Sequence, residues 1–425
     1  MLEPTLTDGL DGLPKSATLA INERSAALQR EGRLVYRFGL GQSPFPVPEV
    51  VVEALRRHAA EKDYLPVEGL WGLREAVASF HRRLDQAEVT ADGVLIGPGS
   101  KELMFLTQLA FGGQLVLPTP CWVSYGPQAR IAGRDVLRIP TSAQARWRLT
   151  GAQLAEYCAK EPGRARLLIL NYPGNPDGDT YTASELESIA AAARQHGVIV
   201  LSDEIYGLTH HRGEHVSIAR FYPEGTIISG GLSKWCGAGG WRLGTMAFPP
   251  ALAWLQSAVA SAASESFTSV SAPIQYAAIT AFECGPEVQA YLEHSQRVLA
   301  TLGAVITQRL RDAQVRLESP QGAFYLWLDF SHHAEALAAR GIEDSVTLCE
   351  QLLQDTGVAM LPGAAFERSA SELTGRLAYV DFDGEAALEM SATAPLDGPP
   401  PAGLISGPCA RVVAGVDALC SWVTE

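Results

Sequence analysis

The feature that most constrains the fold is an alternation, in the middle of the chain, of short β-rich runs with helical patterns. Such alternation is typical of crossover units that build a mostly parallel sheet and pack helices on it. Helical patterns are plausible at 100–111, 184–196 and 251–263. We therefore predict an α/β protein with a mostly parallel, seven-stranded sheet sandwiched between helices, its strands lying at 93–97, 114–118, 135–140, 166–173, 198–204, 226–231 and 244–249.

The length of 425 residues favours two domains over one. After the alternating region, a stretch rich in proline and glycine at 395–408 breaks the pattern, and a last apolar helix is predicted at 409–423. We predict a large domain at 55–295 and a small α+β domain that combines both ends of the chain. The small domain would take an N-terminal arm at 1–54 and the C-terminal part at 296–425.

Composition narrows the functional class. The net charge of −14 is spread along the chain, and no basic patch marks a nucleic-acid partner. The seven cysteines are widely spaced without a CxxC pair, which predicts neither a disulfide framework nor a metal site and fits a reducing compartment. The start of the chain lacks a signal-peptide pattern, and no run approaches about 20 apolar residues. We expect a soluble, cytoplasmic protein.

One lysine lies in an unusual segment, ISGGLSKWCGAGGWRLG at 228–244. A predicted strand runs into a turn that holds Lys234, and three glycines follow before Arg242. Lysine attacks a carbonyl only after losing its proton, which near pH 7 requires a desolvated or electropositive pocket. Ser233, the glycines and Arg242 suit a phosphate dianion held close to that amine.

Two preceding strands place further polar side chains at the same edge of the sheet. Asn175 follows one strand, and Asp203 and Tyr206 follow the next. In an open α/β sheet, ligands bind beyond the carboxyl ends of the strands. A carboxylate beside a pyridine nitrogen keeps that nitrogen protonated, so that the ring withdraws electrons, while an amide and a phenol can donate to a ring oxygen. This chemistry is what pyridoxal 5′-phosphate requires.

Together, NPDG at 175–178, DEIYG at 203–207 and SKWCGAGGWRLG at 233–244 resemble the class I and II aminotransferases. These belong to fold type I, the aspartate aminotransferase superfamily, and the resemblance covers about residues 35–390. It implies that Lys234 carries pyridoxal 5′-phosphate as a Schiff base and that the protein is a homodimer. It also implies that Asp203 pairs with the pyridine nitrogen, that Asn175 and Tyr206 contact the ring oxygen and, for Asn175, the substrate, and that Ser233 and Arg242 bind the phosphate.

The same resemblance extends to other segments. In GPGSKEL, at 97–103, a glycine-rich turn opens a helix, and Gly99, Ser100 and Lys101 are expected to cradle the phosphate. Trp122 is expected to stack on the cofactor ring. Tyr64 is expected to reach the partner subunit's phosphate across the dimer interface.

Two residues are implied to bind the substrate carboxylate. Gly41 matches a glycine whose N–H meets that group, and Arg376 matches an arginine that grips it with a bidentate fork. Tyr325, in a strand of the small domain, is expected to be structural. One departure from the family is visible: Gly231 stands where many members have a serine that binds phosphate, and Ser229 or backbone N–H groups are candidates to replace it.

The predicted reaction is transamination between an α-amino acid and a 2-oxo acid through pyridoxamine phosphate, with Lys234 as general base. Another reaction through a carbanion on the same cofactor stays open at this point, such as elimination, γ-replacement or C–C bond formation on S-adenosylmethionine. These reactions share every residue named above. A DNA-binding regulator built on this fold is disfavoured, because the segment before residue 35 is not basic.

Overall fold

The computed structural model describes residues 5–425, so the first four residues of the predicted arm at 1–54 lie outside it. Over the described residues the chain forms twelve strands. They are β1 (Tyr36–Arg37), β2 (Val94–Gly97), β3 (Gln114–Thr119), β4 (Val136–Pro140), β5 (Arg166–Asn171), β6 (Val198–Asp203), β7 (Thr226–Gly231), β8 (Gly244–Ala247), β9 (Tyr325–Asp329), β10 (Val358–Ala359), β11 (Leu361–Pro362) and β12 (Thr374–Ala378).

Seven of these strands form one large sheet in the order β2-β8-β7-β6-β5-β3-β4. The neighbours from β7 to β4 pair in parallel, and β8 runs antiparallel to both β7 and β2. Each predicted strand overlaps one of β2–β8. The prediction of a mostly parallel, seven-stranded sheet is therefore confirmed.

Fourteen α-helices accompany the strands in the described chain. They are α1 (Ala17–Arg30), α2 (Glu49–His58), α3 (Trp71–Phe80), α4 (Ser100–Ala110), α5 (Tyr125–Ile131), α6 (Gly151–Ala159), α7 (Ala183–His196), α8 (Ala253–Ser264), α9 (Ala272–Glu283), α10 (Pro286–Asp312), α11 (Ala334–Ala339), α12 (Ser345–Thr356), α13 (Gly384–Ser391) and α14 (Ala410–Thr424). None of them combines the length and the apolar character needed to cross a membrane.

Local sequence sets the ends of several helices. In α7, Thr182 and Glu185 form a capping box that satisfies free N–H groups at the start of the helix. Gly197 ends α7 at φ 63°, a conformation that glycine adopts without strain. Such signals explain why the predicted helix at 184–196 agrees with α7 to within one residue.

Helices cover both faces of the large sheet because its strands are apolar on both sides. In β3, Leu115 and Leu117 pack in a cluster with α4 and α8, whereas Val116 packs in another with α6 and α7. Successive side chains of a strand point to opposite faces, so one run of apolar residues serves two helical layers. Both faces of the sheet are thus covered by helices, so a site forms at the ends of its strands.

The remaining strands form two small sheets, β11-β12-β9 and β1-β10. Their apolar side chains pack with α10, α12 and α14 in a separate core. The predicted boundary at 295/296 falls inside α10: Val288 and Leu292 contribute to the core beside the large sheet, and Val298 and Leu302 to the small one. The division into two domains therefore stays a prediction.

Candidate active site

A cavity of about 530 Å³ lies beyond the carboxyl ends of β5, β6 and β7, within the size range of ligand sites. We call it the main cavity. It brings together residues that lie far apart in the sequence. Of the thirteen predicted site residues, eleven line it, namely Gly41, Ser100, Lys101, Trp122, Asn175, Asp203, Tyr206, Ser233, Lys234, Arg242 and Arg376.

Lys234 points into the main cavity from the turn that follows β7. Its Nζ donates a hydrogen bond to the carbonyl oxygen of Gly41 at 2.6 Å. Burial and the charge of Arg376 lower the pKa of Lys234 to about 8. At neutral pH a useful fraction of this amine is therefore unprotonated, which a nucleophile or general base requires.

Asp203, the last residue of β6, is the only carboxylate that lines the main cavity within the described chain. It is 3% exposed, and its Oδ2 accepts a hydrogen bond from Tyr125 Oη at 2.6 Å. Burial raises the pKa of Asp203 to about 6. A desolvated carboxylate of this kind favours a cationic partner, such as a protonated ring nitrogen.

Arg376, in β12, is buried, and it has no acidic partner among the residues that the structure describes. Its guanidinium donates to Asn175 Oδ1 at 3.1 Å and to the carbonyl oxygen of Gly39, while its Nε has no partner in the described structure. Burial lowers the pKa of Arg376. A buried guanidinium bonded only to neutral groups is suited to an incoming carboxylate, because the full charge is left to be paired.

One wall of the main cavity is formed by Tyr206, Tyr325 and Gly41. The two phenol oxygens lie 2.7 Å apart, and both side chains are buried. A Cβ atom at Gly41 would overlap Tyr325 Oη, so only glycine fits at this close approach. Tyr325 therefore does more than the structural role predicted for it, because it lines the main cavity and sets its width beside Gly41.

At the opposite end, the start of α4 lies against Arg242. Gly99 adopts φ 92°, and a Cβ atom there would overlap the Arg242 guanidinium. Arg242 donates to the carbonyl oxygens of Gly239 at 2.8 Å and Pro98 at 3.2 Å. Ser100 and Ser233 line the same end, which combines two hydroxyls, a helix N-terminus and a guanidinium. Anions bind in such surroundings.

Trp122 and Lys101 lie side by side in the wall. Lys101 Nζ is 4.9 Å from the centre of the Trp122 ring, within cation–π range. Burial and the nearby charge of Arg242 lower the pKa of Lys101. The flat indole therefore stands next to positive charge, at a place where a planar aromatic ligand can stack on it.

Two predicted residues do not line the main cavity. The N–H of Gly99 donates to Gly97 O at 2.7 Å, so the contribution of Gly99 lies in its backbone conformation. Tyr64 is 91% exposed. Action of Tyr64 on a partner subunit stays a prediction, with which this exposure is compatible.

The structure also explains the glycine at position 231. Gly231 has φ 149°, and a Cβ atom would lie 2.7 Å from the carbonyl oxygen of Leu243, so serine does not fit. Ser229, one candidate for its replacement, does not line the main cavity; its buried Oγ faces a different cavity and has no partner in the described structure. Backbone N–H groups remain as the other candidate.

Three site features were missed in the sequence. Asn171 lines the main cavity and binds Asn175 N and Asp203 O, at 2.7 and 2.9 Å. Tyr125 holds the carboxylate of Asp203 from across the sheet. One side of the main cavity is lined by Ser16 and Thr18, at the start of α1. Only Asn171 carried a usable signal, since it ends a predicted strand beside the NPDG motif.

The charge of the main cavity indicates what it binds. Four cations line it, Lys101, Lys234, Arg242 and Arg376, against one carboxylate, and none of the four forms an ion pair within residues 5–425. Arg376 is buried and Lys234 is half-buried, and an unpaired charge in such a place is costly, so a ligand with several negative charges fits best. Pyridoxal phosphate meets this requirement, because it carries a phosphate for the cationic end and a ring nitrogen for Asp203.

Comparison with known proteins gives the family to which the chain belongs. Residues 35–382 match the family model of aminotransferase class I and II. The chain belongs to the class I and II aminotransferases. It is 33% identical to the aspartate aminotransferase of Geobacillus stearothermophilus over 363 residues, which cover 83% of this chain and 90% of that protein. The aspartate/prephenate aminotransferase of Thermus thermophilus is 31% identical over 374 residues, covering 85% and 91% of the two chains.

Solved structures give the same result. The aspartate aminotransferase of Thermus thermophilus with maleate superposes with a TM-score of 0.81 at 30% identity, covering 91% of this chain and 98% of that chain. This aminotransferase therefore has the fold-type I architecture, and its cofactor is pyridoxal 5′-phosphate. Its reaction is transamination between amino and 2-oxo acids, and the other carbanion reactions lose their support.

Proposed function

We propose that Lys234 binds the cofactor covalently and serves as the base that moves the substrate's α-proton. The lowered pKa of Lys234 supports this role, as does its place between the carboxylate of Asp203 and the guanidinium of Arg376 around one cavity. When bound, pyridoxal phosphate withdraws electrons from the α-carbon of the amino acid. Once the substrate amine has displaced it from the cofactor, Lys234 Nζ would take the proton from that carbon and deliver it to the aldehyde-derived carbon of the cofactor.

Asp203 would hold a proton on the ring nitrogen, and Tyr125 would keep its carboxylate in place. Asp203 Oδ2 accepts the short bond from Tyr125 Oη, and Asp203 Oδ1 accepts only a long bond of 3.4 Å from Ile205 N, so the carboxylate can still bind a cation. Asn175 and Tyr206 would donate to the ring oxygen, and Trp122 would stack on the ring. Four of these side chains line the main cavity, namely Asp203, Asn175, Tyr206 and Trp122, whereas Tyr125 lies behind Asp203.

Ser100, Lys101, Ser233 and Arg242 would hold the phosphate, with Gly99 providing the close approach of α4 to Arg242. In a homodimer, Tyr64 would add a contact from the partner subunit. The high exposure of Tyr64 supports a role outside its own subunit. All seven cysteines are free, which supports a reducing cytoplasm as the place where the protein works.

Arg376 and the N–H of Gly41 would fix the α-carboxylate of the substrate. We further propose L-aspartate as amino donor and a 2-oxo acid such as 2-oxoglutarate as acceptor. The relatives are named as aspartate aminotransferases, and one was solved with maleate, a four-carbon dicarboxylate. The names of these relatives carry the choice of donor, because the four cations that line the main cavity are already assigned to the phosphate, the covalent bond and the α-carboxylate.

The test measures keto-acid release and the absorbance of the bound cofactor with a panel of donors. We expect L-aspartate to give the highest kcat/KM, followed by donors without a second carboxylate. Prephenate is included as an acceptor because some relatives are named for it. A panel in which alanine or leucine exceeds aspartate would contradict the substrate assignment, and a panel without keto-acid release would contradict the roles of the residues.

A further inference from the structure

A second cavity, of about 140 Å³, lies on the other side of the end of β6. It is lined by a π-helical turn at His81–Asp85, by the segment that follows β6 and by parts of β7 and β8. Ile205 lines both cavities and separates them. The aminotransferase reaction uses no residue that lines the second cavity alone.

Two acid–imidazole pairs line the second cavity. His81 Nδ1 lies 2.6 Å from Asp85 Oδ2, and His215 Nε2 lies 2.8 Å from Glu204 Oε2. All four side chains are at most 10% exposed. Asp85, Glu204 and His215 each place one potential ligand atom within 4.8 Å of those of the other two.

Several polar atoms around the second cavity have no partner in the described structure. They belong to buried side chains that line it: His81 Nε2, His215 Nδ1, Ser229 Oγ and Thr245 Oγ1. Leaving a buried polar atom unpaired is costly, because the atom has lost its hydrogen bonds to water. The concentration of such atoms in one small cavity, beside two carboxylates, indicates that something polar binds there.

The charges decide the sign of that ligand. No lysine or arginine is among the described residues that line the second cavity, whereas two carboxylates are. An anion is therefore disfavoured, and a cation that displaces the proton shared by His215 and Glu204 would gain from both acids. The mixture of imidazole nitrogen and carboxylate oxygen is typical of sites for zinc and related divalent ions, whereas calcium and magnesium prefer oxygen alone.

We propose that the second cavity is a binding site for a divalent transition-metal ion, with Asp85, Glu204 and His215 as ligands. Metal–ligand distances of about 2.1 Å would require these three side chains to draw together slightly, which the cavity's open volume allows. Ser229 and Thr245 lie where they can bind water on the ion. The site uses no cysteine, so the cysteine spacing gave no sign of it.

A metal at this place would join two distant segments. Asp85 ends the π-helical turn that follows α3, and π-helical turns often occur at functional sites. Glu204 immediately precedes Ile205 and Tyr206, which line the main cavity. The ion would therefore fix the segment that carries Tyr206 from behind. This role goes beyond transamination and does not depend on the assignment of its substrate.

The experiment measures metal binding to the purified holoenzyme. The protein is first dialysed against a chelator and then equilibrated with Zn²⁺, and separately with Co²⁺, whose visible ligand-field bands report on its ligands. We expect one ion per chain. His215→Gln and Asp85→Asn should each weaken binding at least about tenfold. Two variants at different ends of the site are used, and unchanged cofactor absorbance shows that each is folded.

His332→Gln is the matched control, because His332 is exposed and lies outside the second cavity. This variant should bind zinc as tightly as the wild type. A wild-type holoenzyme that binds no stoichiometric metal would overturn the proposal and would indicate a cavity filled by water. Binding that survives both His215→Gln and Asp85→Asn would also overturn it, because the ion would then lie elsewhere.

Discussion

The two cavities face each other across the end of one strand, yet they differ in charge. Asp203 and Glu204 are consecutive, and each lines a different cavity. Around Asp203 the main cavity carries four cations, none of which forms an ion pair within residues 5–425; around Glu204 the second cavity carries a further acid and two imidazoles. A strand end can thus supply two sites of opposite charge, because neighbouring side chains point to opposite sides.

The difference in charge between the two cavities indicates the charge of the ligand that each cavity binds. In the second cavity, burial alone would raise the pKa of Glu204, but hydrogen bonds from His215 and Ser217 lower it overall. The acid is therefore ionised. In the main cavity the cations find no such partner in the described chain, and an anionic cofactor and substrate are needed. The comparison predicts that changes on one side leave binding on the other side intact.

The largest effect should follow removal of the amine from the main cavity. In Lys234→Ala we expect kcat for transamination to fall at least about 10³-fold, because the nucleophile and the base are lost together. Steady-state kinetics with L-aspartate measures this. Lys160→Ala, which changes an exposed lysine, should retain activity. Zinc binding should persist in Lys234→Ala, and its loss would show that the two cavities are not independent.

A smaller effect is expected when Arg376 becomes lysine. The charge is retained, but the bidentate fork is lost, and hydrogen bonds to charged groups are worth about 1.5–3 kcal/mol each. We expect kcat/KM for the amino donor to fall roughly 100-fold, while the cofactor absorbance stays unchanged. Arg194→Lys, in an exposed ion pair with Glu224, is the control. An unchanged kcat/KM would place the substrate carboxylate elsewhere.

Most of the large sheet could be predicted, because its strands are apolar runs between clear turns and their ends meet at one edge. Lys234, Asp203 and Asn175 were found for that reason. The small sheets were harder, since β10 and β11 have two residues each, too few for any periodicity. Tyr125 was missed as a partner of Asp203 because side-chain direction depends on tertiary packing.

The second cavity could not be predicted for the same kind of reason. Asp85 and Glu204 lie more than a hundred positions apart, and no short motif joins them. Their approach depends on how α3 and its π-helical turn pack beside the large sheet. Gly99 shows a different limit of the sequence. The sequence predicted Gly99 as a residue of the phosphate site, but it did not show that the Gly99 N–H donates to the carbonyl oxygen of Gly97.

A moderate effect is expected for Gly41→Ala. The added Cβ would overlap Tyr325 Oη and displace the Tyr325 side chain from its place in the wall of the main cavity. Overpacking costs about 1–3 kcal/mol, so we expect KM for the amino donor to rise about tenfold. Gly112→Ala is the control, because a Cβ there meets no atom within 4 Å. Equal KM values for the two variants would show that the close approach does not matter.

The smallest effect is a shift in pH dependence. The pKa of Lys234 is lowered to about 8, so its amine gains reactivity as pH rises through 8. The rate at which the cofactor-free protein takes up pyridoxal phosphate should rise between pH 7 and 9 and then level off. Asp203 favours the protonated amine, so Asp203→Asn should move this midpoint to lower pH. Stopped-flow absorbance measures the rate.

Glu204→Gln is the matched control for Asp203→Asn, because it removes the charge of the neighbouring acid, which lines the second cavity. We expect it to move the midpoint much less than Asp203→Asn does, because Glu204 acts mainly on the pKa of Asp203, whereas Asp203 acts directly on the pKa of Lys234. A midpoint that moves equally in both variants would mean that the two cavities share one electrostatic environment. The difference in electrostatic environment between the two cavities would then not exist.

The most direct measurement is to identify the lysine that holds the cofactor. The chain has only five, at 15, 62, 101, 160 and 234. Borohydride treatment of the holoenzyme fixes the cofactor to the amine that carries it, and peptide mass spectrometry then locates it. We predict a single label on Lys234. A label on Lys101 or any other lysine, or no label at all, would contradict the account.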